Sequence, residues 1–215
     1  MWVKVCGIRD VDNAAVAVAA GADAIGLNFY PRSPRYVQLE SARRIVASLP
    51  ENVEPVGLFV NATRDEIAEV VTSLGLRTVQ LHGDESAEFV AATPAERCIR
   101  VYRVDVSEGL TGVAADLSQL AALGATPWRC LVDARVDGAY GGTGHRAPWE
   151  LLRDGWFADW PPLILAGGLT PENVGEGVRA CAPWGVDVAS GVEASAGVKD
   201  AELTSRFVRI ARSRS

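Results

Sequence analysis

Short runs whose apolar residues alternate with a period of two recur along this chain, and longer stretches with apolar residues three and four apart lie between them. The first pattern reads as strand and the second as helix, because strand side chains alternate faces while helix side chains return to one face every ~3.6 residues. Eight strand-like runs are legible: WVKVC (2–6), DAIGLNF (23–29), EPVGLFV (54–60), TVQLH (78–82), RCIRVYRV (97–104), WRCLVDA (128–134), PLILAGG (162–168) and GVDVASGV (185–192). Helix-like stretches lie at about 10–20, 38–49, 63–73, 85–92, 116–123, 148–152, 171–180 and 200–212.

Local signals support these boundaries. Thr63 with Glu66 forms a capping box, Ser86 stands three residues before Phe89 as a cap, and Pro171 occupies a first helical position after Thr170. Gly21 and Gly75 follow the first and third helices as C-terminal stops. Parallel strands need crossovers, and helices supply them, so regular alternation predicts a parallel sheet. Eight units of about 27 residues each suit a closed (β/α)8 TIM barrel, an α/β fold, formed as a single domain over 1–215. A doubly wound open sheet is the alternative. Its central strands are normally apolar, whereas Lys4, Asn28, Gln80, His82 and Asp187 interrupt the runs here.

Composition narrows the partners. With 21 basic and 27 acidic residues the net charge is −6, and no basic run marks a nucleic-acid or anionic-membrane surface. The most apolar runs are under ten residues, too short to span a bilayer, and MWVKVCG lacks a signal peptide's apolar core, so a cytoplasmic location is expected. Cys6, Cys98, Cys130 and Cys181 are far apart in sequence and show neither zinc spacing nor a disulfide framework. Only two histidines are present, His82 and His145, and neither a metal nor a cofactor is called for.

In a barrel the working residues come from the carboxyl ends of strands. Period two puts Lys4 and Cys6 on one face of the first run, Gln80 and His82 on one face of the fourth, and Leu131 with Asp133 on one face of the sixth. An acid, a thiol and an imidazole therefore share one mouth. Singly, each has an ordinary explanation. Free cysteines mostly serve as small buried hydrophobes, which suffices for Cys98, Cys130 and Cys181. Asp133 alone serves equally to brace a loop, and His82 before Gly83 equally to shape a turn. Cys6 differs in having Lys4 beside it, a charge that favours the thiolate.

Glycine-bearing segments close three consecutive units: Gly141-Gly142-Thr143-Gly144, Gly167-Gly168 and Ser190-Gly191. Backbone N–H groups can converge on an anion there, and loops seven and eight are the common phosphate site of barrels. After the second run, Phe29-Tyr30-Pro31-Arg32-Ser33-Pro34-Arg35-Tyr36 carries arginines in a loop stiffened by two prolines, suited to bidentate capture of a carboxylate.

Taken in order, VKVCGIRD, FYPRSPRY, VGLFVN, VQLHGDE, LVDA with GGTG, LILAGGLTPENV and GVDVASGVE resemble the phosphoribosylanthranilate isomerase family from residue 3 to about 193. The resemblance implies a cofactor-free Amadori rearrangement, with Cys6 as general base and Asp133 as general acid. It implies that Arg35 grips the anthranilate carboxylate and that backbone around Gly142, Gly144, Gly167, Gly168, Ser190 and Gly191 holds the phosphate. Asp187, Gln80 and His82 are further candidate contacts to the substrate, a small phosphosugar. These roles require opposed shifts, Asp133 raised and Cys6 lowered, with Lys4 the candidate cause of the second.

Two departures are visible: Ala189 stands where the family often has serine, and Arg9 where threonine is frequent. Rival readings are the sister isomerase of histidine biosynthesis, which carries a carboxylate at the position of Cys6, and a non-catalytic phosphometabolite-binding barrel, which has no need of Cys6 and Asp133 together. Indole-glycerol-phosphate synthase, usually longer, relies on lysine and glutamate residues that have no clear counterparts here. A monomer and a homodimer are both compatible with the sequence.

Overall fold

A computed structural model describes residues 1–104, 107–134 and 149–213. The elements are β1 (Trp2–Cys6), α1 (Val11–Ala19), β2 (Ala24–Asn28), α2 (Leu39–Ser48), β3 (Glu54–Phe59), α3 (Arg64–Leu74), β4 (Thr78–Leu81) and α4 (Ala87–Ala91). They continue as β5 (Arg97–Val104), α5 (Thr111–Ala122), β6 (Arg129–Ala134), α6 (Trp149–Gly155), β7 (Leu163–Leu165), α7 (Val174–Cys181) and β8 (Gly185–Val188). A 3-10 turn (Ser190–Val192), the short strands β9 (Glu193–Ser195) and β10 (Val198–Lys199), and α8 (Ala201–Ser213) complete the described chain. Strands β1 to β8 are all parallel and close into one barrel, β8 pairing back to β1.

The period of two sorts the core into layers. Val3, Val5, Ile25, Leu27, Val79 and Leu81 face outward into the layer between sheet and helices, where Phe207 of α8 and Trp149 of α6 are buried with them. Inside the barrel, Ala24, Val56, Ile99, Val101, Leu131 and Ile164 form a separate apolar plug. Its floor, where the strands begin, is aromatic. The ring centroids of Trp2 and Trp184 are 5.2 Å apart, and the Arg129 guanidinium lies 4.4 Å from the ring of Trp128 and 4.1 Å from that of Trp184. Above this plug the interior turns polar.

The capping box at Thr63 is formed, with Thr63 N–H donating to Glu66 at 2.7 Å and Glu66 N–H to the Thr63 hydroxyl at 3.2 Å. Several boundaries differ from expectation. Run eight ends as a strand at Val188 rather than 192, because Gly191 turns against the backbone of the loop after β7: a Cβ there would collide with the Leu169 carbonyl. Helix α5 begins at Thr111 instead of 116, held by buried Val113 and Leu117 without a side-chain cap. Helix α7 begins at Val174, so Pro171 lies in a preceding turn, where Asn173 and Val174 N–H groups both donate to the Thr170 carbonyl. Helix α6 runs on to Gly155 past the expected 152, and α4 is confined to Ala87–Ala91 with Ser86 as its cap. The β9–β10 hairpin was not expected at all. Its strands of three and two residues are too short to show a period.

Candidate active site

The polar interior opens at the carboxyl ends of the strands into a hollow of about 250 Å³. Lys4 projects into the barrel, fully buried, and its Nζ donates to Asp187 Oδ1 at 2.9 Å. The register makes this pairing, since Lys4 and Asp187 are directly opposed across β1 and β8. Cys6, one step along the same face, is 6% exposed and lines the hollow.

The sign expected for Cys6 is overturned. Burial pushes its thiol above the ordinary value and outweighs Lys4, which acts in the expected downward direction, as does Lys199. Asp187, the carboxylate that pairs with Lys4, opposes that ammonium and adds to the rise.

Asp133, next to the last residue of β6, lines the same hollow and is 7% exposed. His82, after β4, brings Nε2 to 3.5 Å from Asp133 Oδ2, and its Nδ1 lies 3.3 Å from the Gln80 amide nitrogen. Both Gln80 and His82 line the hollow, as does Asp187. An acid, a thiol and an imidazole thus meet in one space, as strand parity implied.

Arg35 also reaches this space, from the loop after β2. Asn28 shapes that loop: its Oδ1 accepts from Tyr30 N–H at 2.9 Å, and its Nδ2 lies 3.1 Å from Ser33 Oγ, which accepts from Arg35 N–H at 3.1 Å. The aliphatic stem of Arg35 crosses Gly7, where a Cβ would lie 2.5 Å from Arg35 Cδ. Its guanidinium is bidentate to Glu193, Nε to Oε1 at 2.8 Å and Nη2 to Oε2 at 2.7 Å. Lys199 Nζ donates to the same carboxylate at 2.7 Å and to the Ala189 carbonyl at 3.0 Å. Although burial works against its charge, these hydrogen bonds and the Lys199 ammonium hold Glu193 below the usual carboxylate range.

On the remaining wall stand Gly167, Gly168 and Ser190. Asn173 braces this loop, donating from Nδ2 to the Gly168 carbonyl at 2.8 Å and accepting from Thr170 N–H at 2.8 Å. Gly191 does not line the hollow; it packs the Ser190 turn against Leu169. Gly142 and Gly144 lie outside the described residues. Among those residues no group of three or more histidine, cysteine, aspartate or glutamate side chains is placed to hold a metal ion, and no helix is long and apolar enough to cross a membrane.

Sequence reasoning missed Asn28, Tyr30, Glu193 and Lys199. Tyr30 stands inside the singled-out Phe29–Tyr36 motif, and Asn28, one residue before it, was noted only as a polar interruption of the second strand run. Glu193 and Lys199 reach the site only through the unforeseen hairpin.

A closed eight-stranded barrel with ionisable groups gathered at its carboxyl pole belongs to the (β/α)8 enzymes that work by acid–base chemistry. Which of them is settled by comparison. The family model for N-(5'phosphoribosyl)anthranilate (PRA) isomerase matches residues 3–210, and the chain belongs to that family. It is 44% identical over 212 residues to the N-(5'-phosphoribosyl)anthranilate isomerase of Pseudomonas aeruginosa (strain LESB58), covering 99% of this chain and 95% of that one. The phosphoribosyl anthranilate isomerase of Thermotoga maritima superposes with a TM-score of 0.86 at 34% identity, covering 99% of both chains; monomers made from that dimeric enzyme give 0.80. An isomerase complexed with reduced 1-(o-carboxyphenylamino)-1-deoxyribulose 5-phosphate gives 0.82, again at 34% identity and 99% coverage of both.

Proposed function

We propose that this chain catalyses the Amadori rearrangement of N-(5-phosphoribosyl)anthranilate to 1-(2-carboxyphenylamino)-1-deoxyribulose 5-phosphate, a step of tryptophan biosynthesis. The observation that carries this reading is that Cys6 and Asp133 line one hollow, together with an arginine and the glycine-bearing ends of units seven and eight.

In this reading Asp133 gives its proton to the ribose ring oxygen as the C1–O bond breaks, and the anilino nitrogen supplies the electron pair for the iminium. The iminium acidifies the C2 hydrogen. Cys6, as thiolate, takes that proton; the C–H pair becomes a C1–C2 double bond, the iminium electrons return to nitrogen, and the resulting enol tautomerises to the ketone. His82 supports the first step by facing Asp133, and Asp187 lies within the hollow to meet substrate hydroxyls or the amine. Each proton-transfer partner is worth about 100-fold to 10,000-fold in rate.

Binding divides between the two ends of the substrate. Arg35 takes the anthranilate carboxylate, while backbone around Gly167, Gly168 and Ser190, joined by Gly142 and Gly144, takes the phosphate, and Gly191 holds the Ser190 turn in place. Loss of a serine hydroxyl at Ala189 leaves these backbone donors intact. We also propose that the enzyme needs no cofactor, works in the cytoplasm as a single-domain barrel, and is a monomer or homodimer.

The test is the loss of phosphoribosylanthranilate fluorescence on mixing with purified protein, together with restored growth of a tryptophan-requiring strain lacking this activity. Soluble, folded protein that does neither overturns the reading. Cys6→Ala and Asp133→Asn should each lower turnover at least 100-fold while a reduced product analogue still binds; equal loss of binding and turnover would remove them from proton transfer.

A further inference from the structure

Glu193 has no part in the rearrangement as set out above, yet its carboxylate holds the arginine that reaches the hollow. Its side chain is 4% exposed and it accepts from two cations, Arg35 and Lys199. An arginine can offer a carboxylate two different forks: a side-on edge made of Nε and Nη2, and an end-on edge made of Nη1 and Nη2. Glu193 occupies the side-on edge completely. Nη1 has no hydrogen-bond partner among the described residues, so the end-on edge keeps donors for a ligand.

The support for Glu193 comes from a distant part of the chain. Lys199 N–H donates to Asn13 Oδ1 at 2.5 Å, and Asn13 Nδ2 donates to the Asp10 cap of α1 at 2.7 Å. The hairpin is thereby tied to the element that follows Cys6. Because Arg35 and Lys199 share a single carboxylate, the cluster retains an excess of positive charge beside the hollow, which suits an anionic group and repels a cationic one.

We propose that Glu193 is a positioning residue: it grips the side-on edge of Arg35 so that the end-on edge recognises the carboxylate of the bound ligand. This rests on the carboxylate role given to Arg35 above. A freely rotating arginine would lose side-chain freedom on binding, and Glu193 removes that loss beforehand.

The experiment compares two inhibitors, reduced carboxyphenylamino-deoxyribulose phosphate and its phenylamino counterpart lacking the carboxylate. Wild-type protein should bind the first more tightly. In Glu193→Gln that preference should fall about tenfold while binding of the second stays unchanged. In the Arg35→Ala background, Glu193→Gln should cost nothing further, since coupled residues are not additive. If Glu193→Gln fails to fold, Glu193→Asp, which keeps the charge but shortens the reach, should show a smaller loss confined to the same ligand. Equal weakening of both ligands, or a preference left intact, overturns the positioning role while sparing Arg35. Absence of any preference in the wild-type protein would instead defeat the carboxylate role of Arg35, and Glu193's with it.

Discussion

Lys4 and Asp187 meet at 2.9 Å across the seam where β8 closes onto β1, with Lys4 wholly shut off from solvent. Removing one partner leaves the other charge buried without compensation, a loss of about 3–5 kcal/mol. Asp187→Asn and Lys4→Met should therefore both destabilise the protein in urea titrations. Their effects on Cys6 should be opposite. Asp187 raises the thiol and Lys4 lowers it, so the acidic limb of kcat/KM should move to lower pH in Asp187→Asn and to higher pH in Lys4→Met.

The unmodified enzyme should show that limb unusually far to the alkaline side. Burial holds the Cys6 proton in the free protein, and a base must lose its proton before it acts, so kcat/KM should climb with pH past the ordinary cysteine value of about 8.5. A plateau reached below pH 8 would mean that positive charge, rather than burial, governs the thiol.

Gly7→Ala should disturb binding through Arg35. Gly7 has φ +80°, a conformation costly for any residue with a Cβ, and the added carbon would press on the Arg35 stem at 2.5 Å. The expected outcome is a loss of about 1–2 kcal/mol of stability together with a raised KM for phosphoribosylanthranilate. A stability loss with unchanged KM would show that Arg35 tolerates displacement.

At the opposite pole, Arg129→Leu should affect stability alone. The guanidinium stacks within 4.4 Å of both Trp128 and Trp184, and loss of such contacts costs on the order of 1 kcal/mol. Thermal unfolding should register the change, while kcat/KM stays at the parent value because barrel chemistry sits at the other end.

Much of this architecture was legible in the chain. The eight strands announced themselves because each must bury its outward face, which enforces strict alternation around Lys4, Gln80 and Asp133. Thr63 and Gly75 marked their helix ends because capping chemistry is local; Gly75 indeed adopts φ +63° after α3. Helix α5 began earlier than expected because Val113 and Leu117 pack against the barrel, a tertiary effect that local propensity around Gly112 does not reveal. Within the site, strand parity brought Cys6, His82 and Asp133 together correctly. The charge balance at Cys6 escaped prediction because it depends on the depth of burial and on Asp187, 181 positions away in sequence. Glu193 closes the GVDVASGVE motif, but its pairing with Arg35, like the place of Lys199, is set by a two-stranded hairpin too short to show a period in the sequence.

The closing seam has a further consequence for how the molecule assembles. Lys4 and Asp187 are separated by 183 positions, so their encounter ranks among the least local contacts in the protein. Closing so long a stretch of chain costs conformational entropy that the contact must offset. Until β8 pairs with β1, Asp187 is absent from beside Lys4 and the Cys6 sulfur, although Lys4 itself is only two residues from Cys6. The environment of the proposed base is therefore complete only when the first and last strands of the ring are joined.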